Sequence, residues 1–293
     1  MGEPFSIPRD MNHADPRYLE AKRSLDSRAR SRRIREKLLA ALPEKPTIVE
    51  IGCGTGTILP QLVEWGVDRG RYRGVDTAEH LIAFAQDART AEFRHEGIPV
   101  TEQEQGFTVG ELSVTFEQAD GLEVLETTPD VDLVIGQAFG DLVGVSKLVT
   151  GLESALAPGG LAYLPITFDG GTIFQPDHPA DRAVEQAYHE FIDAEPGRDS
   201  QAGRHLAEAF RRRKGDLLGM AGSDWILRPH GGTYPVDEGY VLRTILDFIE
   251  SALSERTGSD RTDWLATRRG QLAARELTYV AHQYDLLYQL PGS

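Results

Sequence analysis

The chain has 293 residues, of which 40% are hydrophobic and 26% are charged, a balance typical of a folded globular protein. Its 46 acidic residues outnumber the 31 basic ones, and the net charge of −15 argues against broad binding to nucleic-acid phosphates. Cys53 is the only cysteine, which excludes an internal disulfide framework and a cysteine metal cluster. No stretch approaches the roughly 20 apolar residues of a membrane span, and no signal-peptide core is found, so we expect a cytoplasmic protein.

Positive charge is concentrated near the start of the chain. Nine basic and three acidic residues lie between positions 17 and 37, a local charge of +6. Two interpretations stay open: a solvated helix that aids solubility, or a helix that lies across an active site and meets an anionic ligand. Residues 16–42 have apolar side chains set among charges and end before Pro43 and Pro46, so we predict one continuous helix there.

The next part of the chain alternates between strand and helix patterns. Strands are predicted at residues 47–51, 71–75, 112–118, 131–135 and 161–167, and helices at 58–65, 78–88 and 147–156. Residues 97–111 break this rhythm, and their polar, glycine-containing sequence predicts a loop or a small hairpin. The alternation predicts a doubly wound α/β sheet, in which ligands bind beyond the carboxyl ends of the strands.

The C-terminal part departs from this alternation. Asp169-Gly170-Gly171 leads into a predicted helix at residues 181–194, and a second helix is predicted at residues 201–213. Residues 219–235 are glycine-rich, and Asp237 is positioned to cap a helix that extends to about residue 255. Residues 277–290 have the pattern of a closing strand.

The most informative stretch follows the first predicted strand and reads Val49-Glu50-Ile51-Gly52-Cys53-Gly54-Thr55-Gly56. Glycines in a strand-to-helix turn let the backbone approach a ligand closely, and the helix start offers unpaired N–H groups. A dinucleotide fingerprint would need a glycine where Thr57 stands, and no Gly-Lys-Ser/Thr follows as in a Walker A loop. The spacing is acid-x-Gly-x-Gly-x-Gly.

This turn resembles the first motif of the class I S-adenosylmethionine-dependent methyltransferases, and further elements follow in the family's order. They are Asp76 at the end of the second predicted strand, Asp120 after the third, and the turn Ala157-Pro158-Gly159-Gly160 before the fifth. The resemblance covers residues 47–168. It implies a Rossmann-like, mostly parallel, seven-stranded sheet with helices on both faces, and S-adenosylmethionine as the cofactor with S-adenosylhomocysteine as the product.

The resemblance also implies roles for individual residues. The glycine backbone would pass the methionine part of the cofactor, Asp76 would accept hydrogen bonds from both ribose hydroxyls, and Asp120 would contact the adenine amine. A carboxylate suits a vicinal diol because it has two acceptor oxygens. The predicted cofactor-binding residues are Glu50, Gly52, Cys53, Gly54, Gly56, Asp76, Thr77, Asp120, Gly121 and Gln137. The structural alternatives are that the glycines only pack helix on sheet and that the two aspartates cap helices.

The sequence says less about the methyl acceptor than about the cofactor. The fourth predicted strand ends at residues 136–141 without the Asn/Asp-Pro-Pro-aromatic motif of methyltransferases that modify amines of nucleic-acid bases. A hydroxyl acceptor needs a base that removes its proton. The candidate catalytic residues are Asp141, His178 and His282, with His230 as a further histidine to consider. No metal site is predicted.

These predictions divide the chain into four parts. They are a basic helical arm over the cofactor cleft (1–46), the cofactor-binding core (47–168), a helical cap or lid (169–235) and the completion of the core (236–293). Candidate residues for the walls of the acceptor pocket are Tyr188, Phe191, Trp225 and Tyr234 from the cap and Tyr18, Lys22 and Arg23 from the arm.

The predicted function is methyl transfer to a small or medium-sized metabolite, with oxygen as the favoured atom. We expect no nucleic-acid or membrane partner, and a homodimer is compatible with the sequence. Two alternatives stay open. One is an RNA or protein methyltransferase that docks through the basic helix, and the other is a cofactor-binding scaffold without catalysis.

Overall fold

The computed structural model describes residues 14–253 and 259–292, which fold around one ten-stranded sheet. The strands are β1 Thr47–Ile51, β2 Arg69–Asp76, β3 Val100–Glu102, β4 Phe107–Val109, β5 Glu111–Gln118, β6 Val131–Ile135, β7 Leu156–Gln175, β8 Asp216–Gly222, β9 Trp225–Leu227 and β10 Thr278–Gln289. The helices are α1 Pro16–Ala29, α2 Arg32–Ala41, α3 Ile58–Glu64, α4 Glu79–His95, α5 Gly121–Thr127, α6 Val145–Ala155, α7 Asp181–Ala194, α8 Ala202–Arg211, α9 Glu238–Leu253 and α10 Ser259–Ala274.

The strand order is β3-β4-β5-β2-β1-β6-β7-β10-β8, with β9 paired to β10. Strands β5, β2, β1, β6 and β7 are parallel, and β10 runs antiparallel to its neighbours. This confirms the predicted doubly wound, Rossmann-like, mostly parallel sheet. The strand count differs from the predicted seven because a β3–β4 hairpin extends one edge and β9 lies beside β10. Of the two predictions for residues 97–111, the hairpin is therefore the one observed.

The central strands are buried on both faces, as their apolar sequences require. Alternation along β6 sends Leu133 and Ile135 to one face and Val134 to the other. Helices α2, α3 and α4 cover the first face, and α5, α6 and α8 cover the second. A third apolar cluster joins α1, α7, α9 and α10 to β9 and to parts of β7 and β10.

The predicted continuous helix over residues 16–42 is wrong, because the chain bends at Arg30-Ser31 between α1 and α2. The Ser31 side chain accepts a hydrogen bond from the Ile34 N–H, which is a typical start for a new helix. The Ser31 N–H in turn donates to the Asp285 carboxylate at 2.7 Å. The bend lets α1 join the third cluster while α2 packs on the sheet.

The predicted end of the fifth strand at residue 167 is also wrong, since β7 continues to Gln175. The register between β7 and β10 shifts there, so Asp169 and Gly170 form a bulge opposite His282 and Gln283. The helix prediction for residues 181–194 is confirmed by α7, and α8 is slightly shorter than predicted. Strands β8 and β9 lie in the glycine-rich segment for which no strand was predicted.

Candidate active site

A cavity of about 390 Å³ lies at the carboxyl ends of the parallel strands. We call its two parts the loop end, formed by the turns after β1, β2 and β5, and the helical end, formed by α1, α7, α9, β9 and β10. Most of the predicted cofactor-binding residues line the cavity: Glu50, Gly52, Cys53, Gly54, Asp76, Thr77, Gly121 and Gln137. Gly56 and Asp120 are not among the lining residues.

The glycine turn has a shape that other residues would disturb. Gly52 and Gly54 have φ angles of +62° and +54°, in the left-handed region that favours glycine. A Cβ atom on Gly52 would lie 2.4 Å from Cδ2 of Phe139. Gly56 also has a positive φ, and a Cβ there would lie 2.7 Å from Cζ of Phe116. Gly56 therefore packs the loop against Phe116, whereas its neighbours Thr55 and Thr57 line the cavity.

Replacing Gly52 by Ala is expected to destabilise the protein and to weaken cofactor binding together, because the new methyl group and the Phe139 ring cannot occupy the same space. Overpacking of this kind costs about 1–3 kcal/mol. Gly66→Ala is the matched control: its φ is +91°, but no atom lies within 4 Å of the new Cβ. Thermal unfolding with and without S-adenosylhomocysteine measures both effects. Equal cofactor-induced stabilisation of the two variants would contradict the prediction.

Asp76 ends β2 beside the glycine turn and is held there by two backbone groups. Its Oδ2 accepts from the Gly54 N–H at 2.9 Å, and its Oδ1 accepts from the Ala78 N–H at 3.0 Å. Each carboxylate oxygen retains a further acceptor position because it has two lone pairs. The carboxylate is thus fixed in orientation and still able to accept two hydrogen bonds from a ligand.

Asp120 has the structural role that was the alternative to adenine binding. Its Oδ1 accepts hydrogen bonds from the Leu122 and Glu123 N–H groups, at 2.8 and 3.4 Å, and so caps α5. The side chain is exposed, whereas the neighbouring Ala119 and Gly121 line the cavity. Asp120 thus caps α5 at the edge of the loop end, and its contact with the adenine amine stays a prediction.

Glu50 lies beneath the glycine turn and is 2% exposed. Burial raises the pKa of its carboxyl group to about 8, although a hydrogen bond from the Tyr72 hydroxyl and the charge of Arg30 act in the opposite direction. Without a ligand, the carboxyl group is therefore largely protonated at neutral pH.

The raised pKa of Glu50 predicts a loss of stability at high pH. The folded state favours the protonated form of Glu50. Its contribution to the free energy of unfolding is therefore complete below the ordinary carboxyl pKa of 4.5, and it is lost as the pH rises through about 8. Glu50→Gln is expected to flatten this decrease, whereas Glu117→Gln, at an exposed position, should not. Urea unfolding of the ligand-free protein at about pH 5 and pH 8.5 checks this. A wild-type stability that rises over this interval would contradict it.

Of the predicted bases, Asp141 is the one that lines the cavity. Burial raises the pKa of its carboxyl group, while Arg198 and Lys22 lower it. His282 lies between Ala281 and Gln283, which line the cavity, so strand alternation directs it to the opposite face. There its Nδ1 lies 2.8 Å from Oδ1 of Asp224.

The remaining histidine candidates also lie elsewhere. The Nδ1 of His178 accepts from the Ala180 N–H at 3.2 Å, before α7. His230 forms a backbone bridge with Thr233. The structure therefore corrects the predicted placement of His178 and His282 in the catalytic site. Among the described residues, no group of three or more His, Cys, Asp or Glu side chains is arranged to hold a metal ion.

Helix α1 supplies a wall of the helical end through Tyr18, Leu19 and Lys22. Arg23, predicted for this wall, instead pairs with Glu92. The Lys22 ammonium lies 3.4 Å from Asp26 Oδ2 and 5.7 Å from the centre of the Trp225 ring.

Sequence reasoning missed Asp26, which is 1% exposed and connects α1 to the loop after β6. It accepts hydrogen bonds from Trp225 Nε1 at 2.9 Å and from Gln137 Nε2 at 3.1 Å. The one available signal was its i,i+4 spacing from Lys22. Of the predicted cap residues, Tyr188 and Trp225 line the cavity, and Phe191 and Tyr234 do not. Lining residues that were not predicted include Ile192, Ile245, Phe248 and Tyr279.

Comparison with known proteins identifies the family. The chain matches the family described as methyltransferase domain over residues 23–213, and it belongs to that family. It is a class I S-adenosylmethionine-dependent methyltransferase with a Rossmann-like fold, and S-adenosylmethionine is its cofactor. No curated protein matches the chain.

Two solved structures are among those similar to the chain. One, from Bacillus halodurans C-125 and provisionally named a methyltransferase, is 12% identical, covers 87% of this chain and 98% of its own, and has a TM-score of 0.54. The other is an S-adenosylmethionine-dependent methyltransferase from Thiobacillus denitrificans in complex with S-adenosyl-L-homocysteine. It is 20% identical, covers 93% of this chain and 98% of its own, and has a TM-score of 0.47.

The residues at the loop end fit this cofactor. Gly52 and Gly54 leave their backbone accessible where side chains would obstruct it. Both Asp76 oxygens are oriented by backbone N–H groups and keep acceptor positions for two ribose hydroxyls. The buried Glu50 carboxyl group gives an acceptor for the amino group of the methionine part. No helix in the described ranges is long and apolar enough to span a bilayer.

Proposed function

We propose that the protein transfers a methyl group to a hydroxyl oxygen of a small or medium-sized metabolite, with Asp141 as the general base. The observation that supports this proposal is the position of Asp141 in the cavity, where burial raises the pKa of its carboxyl group. A carboxylate with a raised pKa is a stronger base, and proton removal from a hydroxyl needs a base near neutral pH. Backbone hydrogen bonds from Asp141 and Phe168, and then the charges of Arg198 and Lys22, oppose this rise of the pKa.

The cofactor, when bound, supplies a methyl group on a positively charged sulfur. The protein's task is then to align an acceptor oxygen with that methyl group and to exclude water. Gly52, Gly54 and Asp76 hold the donor at the loop end. The helical end surrounds the acceptor with Tyr188, Trp225 and other aromatic side chains, and Asp141 takes the hydroxyl proton.

The charges of the N-terminal helices argue against docking of RNA or an acidic protein. Arg17 pairs with Asp237 at 2.6 Å, and Arg28 pairs with Glu238 at 2.5 Å. Asp237, predicted to cap a helix, thus has its carboxylate engaged by an arginine. Further pairs join Arg23 to Glu92 and Arg32 to Glu36. Glu36 is already counted in the local charge of +6, so three acids from outside the segment, Asp237, Glu238 and Glu92, offset half of that charge.

The test is formation of S-adenosylhomocysteine with three kinds of acceptor: small hydroxyl compounds, bulk RNA and a protein extract. Turnover is expected with one or more hydroxyl compounds. The double charge reversal Arg32→Glu with Arg33→Glu, at exposed positions, should leave that turnover unchanged. Methylation of RNA alone, with strong salt dependence and loss on charge reversal, would replace the proposal by the docking alternative. Absence of turnover with every acceptor would favour a cofactor-binding scaffold.

A further inference from the structure

Three tyrosines from distant parts of the chain line the helical end of the cavity. Tyr18 comes from α1, Tyr188 from α7 and Tyr279 from β10. Tyr18 and Tyr279 are 6% and 4% exposed. Their rings are held by aromatic neighbours: Tyr18 packs edge-on against Phe248 at 5.4 Å, and Tyr279 packs against Phe174 at 4.8 Å between ring centres.

The hydroxyl groups of these three tyrosines form no hydrogen bond with any residue that the structure describes. None of the three hydroxyl oxygens is among the fully buried polar atoms that lack a partner, so each reaches the open space of the cavity, where a bound molecule can pair with it. Two tyrosines outside this group of three are paired within the protein: the Tyr234 hydroxyl donates to the Leu277 carbonyl at 2.8 Å, and the Tyr72 hydroxyl donates to Glu50. The three hydroxyls in the cavity thus lack the partner that a ligand would supply.

All three tyrosines line the same cavity, and burial is the largest cause that raises the pKa of each. Burial raises the pKa of Tyr279 most, and the nearby Tyr188 and Tyr18 raise it further. Burial and then Asp141 raise the pKa of Tyr188 to about 12. All three therefore stay protonated at physiological pH, and each has an O–H hydrogen to donate in the cavity that it lines.

A carboxylate is the ligand group that matches this arrangement. Three O–H donors need acceptor oxygens, and a carboxylate has about four acceptor positions. An ammonium group has no acceptor and would leave the hydroxyl hydrogens unpaired. Two cationic side chains that could attract a carboxylate, Lys22 and Arg198, also line the cavity, together with the carboxyl group of Asp141, which is the proposed base. Asp26, which balances Lys22, is already engaged by Trp225 and Gln137.

We propose that Tyr18, Tyr188 and Tyr279 form a carboxylate subsite, so that the methyl acceptor is a hydroxy acid. The carboxylate is bound by the three hydroxyls, and a separate hydroxyl of the same molecule is methylated. This inference rests on the proposed function, which assigns the hydroxyl oxygen as the reacting atom. The inference adds that the acceptor must carry an anionic group, and it names the three tyrosines as the residues that select for that group.

The test is calorimetric titration of the full-length protein, saturated with S-adenosylhomocysteine, with two matched probe pairs. The pairs are 4-hydroxybenzoate with 4-hydroxybenzamide, and lactate with lactamide. In at least one pair the carboxylate is expected to bind about 10-fold or more tightly than its amide, the usual strength of a charge-assisted hydrogen bond. Tyr18→Phe, Tyr188→Phe and Tyr279→Phe are each expected to weaken carboxylate binding by about 10-fold.

Tyr234→Phe is the matched control, because its hydroxyl is paired with a backbone carbonyl and it does not line the cavity. It should leave carboxylate binding unchanged, and S-adenosylhomocysteine affinity should be the same in all four variants. Equal affinity for carboxylate and amide in both pairs, or carboxylate affinity that survives all three substitutions, would overturn the subsite. A methyl ester as product would overturn it as well, since the carboxylate would then be the acceptor.

The outcomes separate this inference from the proposed function. Tyrosine-dependent carboxylate binding without methyl transfer to any hydroxyl would contradict only the proposed function. Methyl transfer to hydroxyl compounds that lack a carboxylate, unaffected by the tyrosine substitutions, would contradict only the subsite.

Discussion

Asp141→Asn is expected to lower kcat by about 10²- to 10⁴-fold, the contribution typical of a positioned general base. The amide keeps the size and shape of the carboxyl group but cannot accept the proton of the acceptor hydroxyl. Affinity for S-adenosylhomocysteine should stay within about twofold, since the loop end is formed by other residues. Single-turnover measurement of methyl transfer, with cofactor binding measured separately, distinguishes loss of chemistry from loss of binding.

The pH dependence of kcat gives a second test of Asp141 as the general base. Because burial raises the pKa of the Asp141 carboxyl group, wild-type kcat should rise with pH as this group ionises, and the Asn variant should lose that rise. His282→Asn and His178→Asn are the controls, since both histidines lie outside the cavity lining, and kcat should stay close to wild type. A large loss of kcat in either histidine variant, with normal activity of Asp141→Asn, would transfer the role of base to that histidine.

Asp76→Ala is expected to weaken S-adenosylhomocysteine binding by about 10²-fold or more. It removes two charge-assisted acceptors for the ribose hydroxyls, each worth about 1.5–3 kcal/mol. It also frees the Gly54 and Ala78 N–H groups, so the glycine turn loses the carboxylate that orients it. Most of the rise in melting temperature that the ligand produces should therefore disappear.

Two further variants separate binding from stability at this site. Asp76→Asn retains one acceptor oxygen and should give an intermediate affinity. Asp120→Ala, which removes the cap of α5, should cost about 1 kcal/mol of stability and leave the ligand-induced shift in place. A ligand-induced shift that is normal in Asp76→Ala and lost in Asp120→Ala would reverse the roles of the two aspartates.

The sequence predicted the parts of the fold whose causes are local. β1, the glycine turn and Asp76 are adjacent in the chain, and their spacing reflects backbone geometry that neighbouring residues determine. The bend at Ser31 was missed because it depends on Asp285, a residue on the last described strand. β7 was predicted to end too early because Gly170 resembles a turn residue, whereas in the sheet it forms a bulge against β10.

The helical end could be predicted only in part, since its residues meet through tertiary structure. Tyr18, Tyr188 and Tyr279 belong to elements separated by most of the chain, and no spacing rule relates them. His282 was a candidate because histidine is a common base. The face of the sheet on which its imidazole lies depends on the register of β10, which the sequence does not reveal. Asp141 was identified because it directly follows a central strand, where Rossmann-like folds place their ligands.

The position of β10 has a consequence for biosynthesis. This strand follows β8 and β9 in the chain but lies between β7 and β8 in the sheet. While the ribosome is still translating the segment before residue 278, β8 and β9 lack the neighbour with which they pair. The cofactor-binding turns can form during translation, but the acceptor pocket closes only after β10 has emerged and inserted. A nascent chain stalled at this stage would expose the apolar faces of β7 and β9 to chaperones.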